Sequence, residues 1–230
     1  SSSSARARVS ISHSVFDAVD GAQTTANIEC ATATVTGNTF TKAFVRLEGC
    51  DADVSDNNIG GGLELFQSPD LAGVDLAGPD ANTFTGTPAH RTLLLTGSST
   101  VKTATTWQVD APSMAALIIL QDAYGDSPRI DGRTDLAAGT IVKARSGARL
   151  EVSDGGTLTA AGTDQNPVVF TDWRDDTVGG DTNGDGNDST PENGSADAIL
   201  LGQSEGSWQQ TSQQVTLTHV NMRYVNPVTS

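Results

Sequence analysis

Oxygen-bearing side chains recur at alternate positions along Asp181-Thr-Asn183-Gly-Asp185-Gly186-Asn187-Asp188-Ser189-Thr-Pro191-Glu192. Counted from Asp181, they fall at the first, third and fifth places. A glycine holds the sixth, the backbone carbonyl of Asn187 the seventh, Ser189 the ninth and Glu192 the twelfth. A hard divalent cation takes about six to eight oxygens, and the chain must curl tightly to present them. This spacing does so and satisfies the pattern D-x-[DN]-x-[DN]-G-x5-E. The expected ion is Ca2+, held by Asp181, Asn183, Asp185, Asn187, Ser189 and Glu192. The competing reading is a solvated acidic loop rich in Asn, Asp and Gly. The flanks carry no helical periodicity, so the loop is expected on a β scaffold with a structural rather than a signalling role.

Other chemistry is sparse. Cys30 and Cys50 are too few for a zinc site and form no Cys-x-x-Cys pair. They read either as a disulfide between neighbouring coils, which would stabilise by about 3 kcal/mol, or as two buried small apolar residues. His13, His90 and His219 are scattered, and no Gly-x-Ser-x-Gly elbow occurs. Trp107, Trp173 and Trp208 offer sugar-stacking faces, but isolated tryptophans more often pack locally.

The elements that must position the loop are strands. Ser14 to Ala22 and Pro112 to Leu120 are the only helix candidates, and both are weak. Elsewhere short alternating segments end in Gly, Asn or Asp. Several share a form: Ile11-Ser-His-Ser-Val-Phe16, Val35-Thr-Gly-Asn38-Thr-Phe40, Val54-Ser-Asp-Asn57-Asn-Ile59 and Gly78-Pro-Asp-Ala-Asn82-Thr-Phe84. Their last apolar residues are 24, 19 and 25 positions apart. Repetition at that period marks a solenoid whose units bury their apolar faces only by stacking. Asn38, Asn57 and Asn82 then form a ladder at one corner, where asparagine tolerates left-handed backbone. Val9-Ser-Ile-Ser-His13-Ser-Val-Phe16 is echoed near the other end by Val215-Thr-Leu-Thr-His219-Val-Asn-Met222. Coils of the same kind therefore stand at both ends, and head-to-tail stacking or tandem copies in a longer chain are expected.

The stretch Leu136-Ala-Ala-Gly-Thr-Ile-Val-Lys143-Ala-Arg145, continuing through Leu150-Glu-Val152-Ser-Asp-Gly155-Gly156-Thr-Leu158-Thr-Ala160-Ala-Gly162-Thr163 to Pro167-Val-Val-Phe170-Thr171, resembles the right-handed parallel β-helix repeats of large secreted or surface-attached bacterial and archaeal proteins. In that family an aspartate pair and a GGDTNGDG loop often follow, as Asp175-Asp176 and Gly179 to Gly186 do here. The resemblance covers residues 136–188 and is diffuse elsewhere. A Trp-Gly-x-Ile motif of the family is replaced by Ala196-Asp-Ala-Ile199. Alternation places Ile141, Leu150, Val152, Leu158, Val168 and Phe170 inside, and Lys143, Arg145 and Arg149 outside.

Taken together, the expectation is an all-β, single-stranded right-handed parallel β-helix with a calcium-loop insertion. Residues 1–8 are expected as a flexible segment, opening on Ser1-Ser-Ser-Ser4. Residues 9–230 form one domain, with the loop excursion at 172–195. A 230-residue chain suffices for one such domain. Its net charge of −15 disfavours nucleic acid and anionic membrane as partners. No apolar run reaches the ~20 residues of a membrane span. The expected role is an extracellular or cell-surface structural and adhesive module, a filament or stalk subunit. The alternative is a polysaccharide-binding or polysaccharide-cleaving, lyase-like β-helix. There Lys143, Arg145 or Arg149 would act as base, and Asp172, Asp175 and Asp176 would hold a metal.

Overall fold

The structure is a computed structural model, and it describes residues 7–17, 24–102, 105–153, 155–202 and 212–229. Ser1 to Ser4 and Trp208 lie outside the described residues. The chain winds into a parallel β-helix, and among the described residues every pairing between strands is parallel. The only helix among the described residues is the short 3-10 turn Pro88–His90. Both weak helix candidates contain strands instead, Val15–Asp17 and Ala116–Leu120. β-Branched and apolar residues in each suit a half-buried ribbon better than a helix.

Alternation builds the wall. In Thr32–Thr36, Ala33 and Val35 face the core while threonines face out. In Ala43–Glu48 every second residue is buried. One eight-stranded sheet runs the length of the stack, from Thr24–Glu29 to Val220–Met222. Its inward column reads Val45, Leu63, Leu93, Leu117, Val142, Phe170, Met222, each paired with the next. No single coil could bury these side chains, so stacking is the folding reaction itself.

The phase here differs from the expected one. Val142 faces the core, and Ile141 lies half-exposed on the outer side. Two adjacent apolar residues leave the phase open; the pairing of Val142 with Leu117 and Phe170 decides it. The other expected core residues, Leu150, Val152, Leu158, Val168 and Phe170, are buried.

The remaining faces change midway. Early coils use one sheet of Arg8–Ser12, Thr32–Thr36 and Asp51–Ser55. A second holds Val15–Asp17, Thr39–Thr41, Asn58–Ile59 and Thr83–Phe84. Later coils replace them with a five-stranded and a four-stranded sheet starting at Thr100–Val101 and Thr106–Val109. Single bridges from Val54 to Val74 and from Leu76 to Val109 carry the change.

In the early coils Phe16, Phe40, Ile59 and Phe84 stand in register, and the rings of Phe16 and Phe40 stack 4.9 Å apart. Beside them Asn38 Nδ2 donates to Asn57 Oδ1 (3.0 Å) and Asn57 Nδ2 to Asn82 Oδ1 (2.9 Å). Each oxygen also accepts a backbone N–H from the coil before: Ser14 to Asn38, Asn38 to Asn57, Asn57 to Asn82. At Asn38 and Asn57 the left-handed residue is not the asparagine but its predecessor, Gly37 or Asp56, and His13 holds the same place before Ser14. That residue turns the corner, and the asparagine satisfies the backbone groups the turn exposes. Cys30 and Cys50 are joined in a disulfide between adjacent coils. His219 repeats the left-handed conformation of His13, so the sequence echo between the two ends is also a conformational one.

Candidate metal centre

The outer column of the long sheet reads Arg46, Glu64, Leu94, Ile118, Lys143, Thr171. Most of a solenoid's outer face is wet, yet Ile118, Lys143 and Thr171 are buried. The segment after the strand Val168–Asp172 folds back across them. Added Cβ atoms at Gly179 and Gly180 would come within 2.7 Å of Ala115 O and 2.8 Å of Pro88 Cγ, which shows how closely the segment lies on earlier coils.

Buried polar groups hold this cover down. Asp172 receives the Arg174 guanidinium through two nitrogens, at 2.9 and 2.8 Å, and also bonds the Ser195 hydroxyl. Burial opposes the Asp172 charge, but Arg174 and Ser195 outweigh it and hold the carboxyl below its ordinary range. Asp175, equally buried, accepts from Thr171 (2.7 Å) and Thr177. Those hydroxyls overcome burial and lower it too.

Lys143 points away from the cylinder axis as its phase requires, but it is not on the surface. Its side chain is wholly buried, and Nζ donates to Gly180 O (2.9 Å) and Thr182 Oγ1 (2.8 Å). Burial lowers its pKa to about 8, against the opposing pull of Asp176, Asp175, Asp181 and Asp172. The ammonium therefore serves to hold the covering segment, through Gly180 and Thr182, to the long sheet.

Within the loop, carboxylate oxygens of Asp176, Asp181 and Asp185 lie within 4.8 Å of one another, a group able to hold a metal ion. Asp181 caps the turn by accepting the amides of Gly184 (2.7 Å), Asp185 and Gly186. Asn183 Nδ2 donates to Asp185 Oδ2 and Ser189 Oγ, and Ser189 Oγ in turn bonds Asp185. Three buried oxygens have no partner at all: Asp176 Oδ1, Asn183 Oδ1 and Asp185 Oδ1. A buried acceptor left unsatisfied costs about 1–3 kcal/mol, more if charged. Burial and the neighbouring Asp181 raise the pKa of Asp176. Three crowded carboxylates, two of them with an unpartnered oxygen, fit a hard cation, which prefers oxygen donors.

The expected ligands divide accordingly. Asp181 and Asp185 are in the group, and Asn183 is tied to it with its carbonyl oxygen free. Ser189 braces Asp185. The Asn187 residue is exposed. Glu192 is turned elsewhere, 3.2 Å from Arg174 with most of its side chain in solvent. Asp176 was missed by the loop pattern because it precedes the loop by five positions. Its only sequence signal was the aspartate pair ahead of the glycines.

Of the tryptophans, Trp107 is buried and donates to Val74 O. Trp173 carries the Arg145 guanidinium 4.9 Å from its ring centre. His219 pairs with Asp164 at 3.0 Å on the surface. No described helix is long and apolar enough to cross a membrane. A scan against family models, a search of curated proteins and a search of solved structures all return no match.

Proposed function

We propose that this chain is an extracellular, calcium-stabilised β-solenoid module whose role is structural, as a stiff spacer that stacks on further copies or on adjoining segments of a longer chain. One observation carries the metal reading: three carboxylates, two of them with an unpartnered buried oxygen, lie within 4.8 Å of one another where a loop folds over the long sheet. Asp176, Asp181, Asp185 and Asn183 would hold Ca2+, and the ion would supply positive charge that neutralises the group and fixes the loop. The resemblance of residues 136–188 to secreted β-helix repeats supports the same assignment. The disulfide is compatible with an oxidising compartment.

Titration calorimetry on the purified chain, followed by negative-stain imaging with calcium or chelator, tests this reading. One bound calcium per chain and end-to-end particles support it. Absence of binding rejects the metal assignment, and isolated rods at high concentration reject the stacking.

A second reading, a polysaccharide-binding surface, draws on a groove of about 550 Å³ lined by Phe44, Leu94, Ile118, Arg145 and Trp173 beside the loop. Retardation of the chain in gels containing acidic or neutral polysaccharides would support it.

A further inference from the structure

The loop carries a second chemistry that the metal does not use. Asn187-Asp188-Ser189 and Asn193-Gly194-Ser195 are both Asn-x-Ser sequons, and no other asparagine in the chain is followed two residues later by Ser or Thr without an intervening proline. The remaining asparagines are spent differently. Asn38, Asn57 and Asn82 are buried in the ladder, and Asn183 is bonded inside the loop. Asn187 and Asn193 are exposed, and neither side chain bonds a described residue. Both sequon asparagines stand at exposed positions of the excursion between the strands Val168–Asp172 and Asp197–Leu201.

We propose that Asn187 and Asn193 are acceptors for N-linked glycans. The proposal rests on the extracellular reading, since the donor, a polyisoprenoid phosphate-linked oligosaccharide, is met during export. The amide nitrogen attacks the anomeric carbon of the donor. A carbon–nitrogen bond forms, the carbon–oxygen bond to the lipid phosphate breaks, the amide gives up one proton and the lipid phosphate leaves as the anion.

The structure adds an order of events. The transferase reads the sequon through its serine hydroxyl. In the folded loop Ser189 Oγ is committed to Asp185, and Ser195 Oγ to the buried Asp172. Both hydroxyls are free only before the loop docks, so glycan transfer precedes closure of the metal site. Transfer and metal holding do not compete afterwards. At the seventh place of a calcium loop the backbone carbonyl is the ligand, so a sugar on the Asn187 side chain leaves it available.

The test is to secrete the chain from a eukaryotic cell behind a host leader, with an Asn-Gly-Thr tail appended as an internal control. Export is then supplied by the host, so the outcome is independent of where the chain naturally resides and of whether it binds calcium. Intact mass and glycopeptide mapping should find oligosaccharide on Asn187 and Asn193. Asn187→Gln and Asn193→Gln should each remove one glycan, as should Ser189→Ala and Ser195→Ala, which leave the asparagines in place. A peptide-N-glycosidase should convert both occupied sites to aspartate. A tail that is glycosylated on a chain whose loop stays bare would overturn the proposal. Efficient transfer by a purified transferase to the folded, calcium-loaded chain would overturn the order of events.

Discussion

Replacing Asn57 by alanine should destabilise the solenoid more than any single surface change. The Asn57 side chain is 2% exposed. Its oxygen accepts Asn38 N (2.9 Å) and Asn38 Nδ2 (3.0 Å), and its amide donates to Val35 O (2.8 Å), Ser55 O (2.9 Å) and Asn82 Oδ1. Alanine strips these bonds at a place water cannot enter. Asn38 Nδ2 keeps Ile11 O, and Asn82 Oδ1 keeps Asn57 N, so two to three buried groups are weakened or orphaned. At ~1–3 kcal/mol each, the loss is about 3–5 kcal/mol. Serine should recover part of it. A serine already stands at the first rung, where Ser14 donates its backbone amide to Asn38 Oδ1 and its hydroxyl to Ser12 O, as Asn57 Nδ2 does to Ser55 O. Asn57→Ser should therefore cost about half as much as Asn57→Ala. The double variant Asn38→Ala/Asn57→Ala should cost less than the sum, since the bond from Asn38 Nδ2 to Asn57 Oδ1 is lost in both single variants. Urea denaturation followed by circular dichroism measures all three. A loss below ~1 kcal/mol for alanine, or strict additivity, would refute the claim that the ladder acts as one buried network.

Other expectations follow from single features. Removing the Cys30–Cys50 disulfide, which closes a separation of 20 residues, should cost about 3 kcal/mol on the chain-entropy account. For a chain of this size that lowers Tm by about 6–12 °C, read by calorimetry with and without reductant. Gly156→Ala should cost ~2 kcal/mol or more or prevent folding, because an added Cβ would stand 2.1 Å from Ile130 O in the coil below. Normal stability in a urea melt would contradict that. Asp172 has a lowered pKa in the fold, so its contribution is full above the unfolded value of about 3.9 and is lost as pH falls through the folded value. The stability gap between wild type and Asp172→Asn should be widest at neutral pH and close in acid, and a gap that widens toward pH 2 would reverse the sign of this reasoning.

The sequence made the repeat legible where a side chain must do one specific thing. Asn38, Asn57 and Asn82 were visible because only a short amide spans adjacent coils, and the four apolar residues beside them came out in register. Of the loop, Asp181 and Asp185 come together in one carboxylate group, because spacing along the chain governs how a turn presents oxygens. What escaped was set by distant pairing. In Ile141-Val142 both residues are apolar, so the inward one is chosen by neighbouring coils. Lys143 was correctly assigned outward, but nothing local says that a segment some forty residues on returns to bury it. Asp176, expected as a metal ligand only in the lyase-like alternative, joins the acidic group of the loop, while Glu192, well placed by spacing, is drawn to Arg174. The left-handed corner falls one residue before Asn38 and Asn57, at Gly37 and Asp56, and has no counterpart before Asn82.

The most direct test is thermal unfolding of the wild type, Asp176→Asn and Glu192→Gln, each with excess calcium and with chelator. A cation that binds only the native state at a hundredfold excess over Kd stabilises by about 2.7 kcal/mol, which raises Tm by about 5–11 °C. The wild type and Glu192→Gln should show that rise, and Asp176→Asn should lose most of it. A wild-type midpoint indifferent to calcium, or a rise abolished by Glu192→Gln and kept by Asp176→Asn, would contradict the metal centre described above.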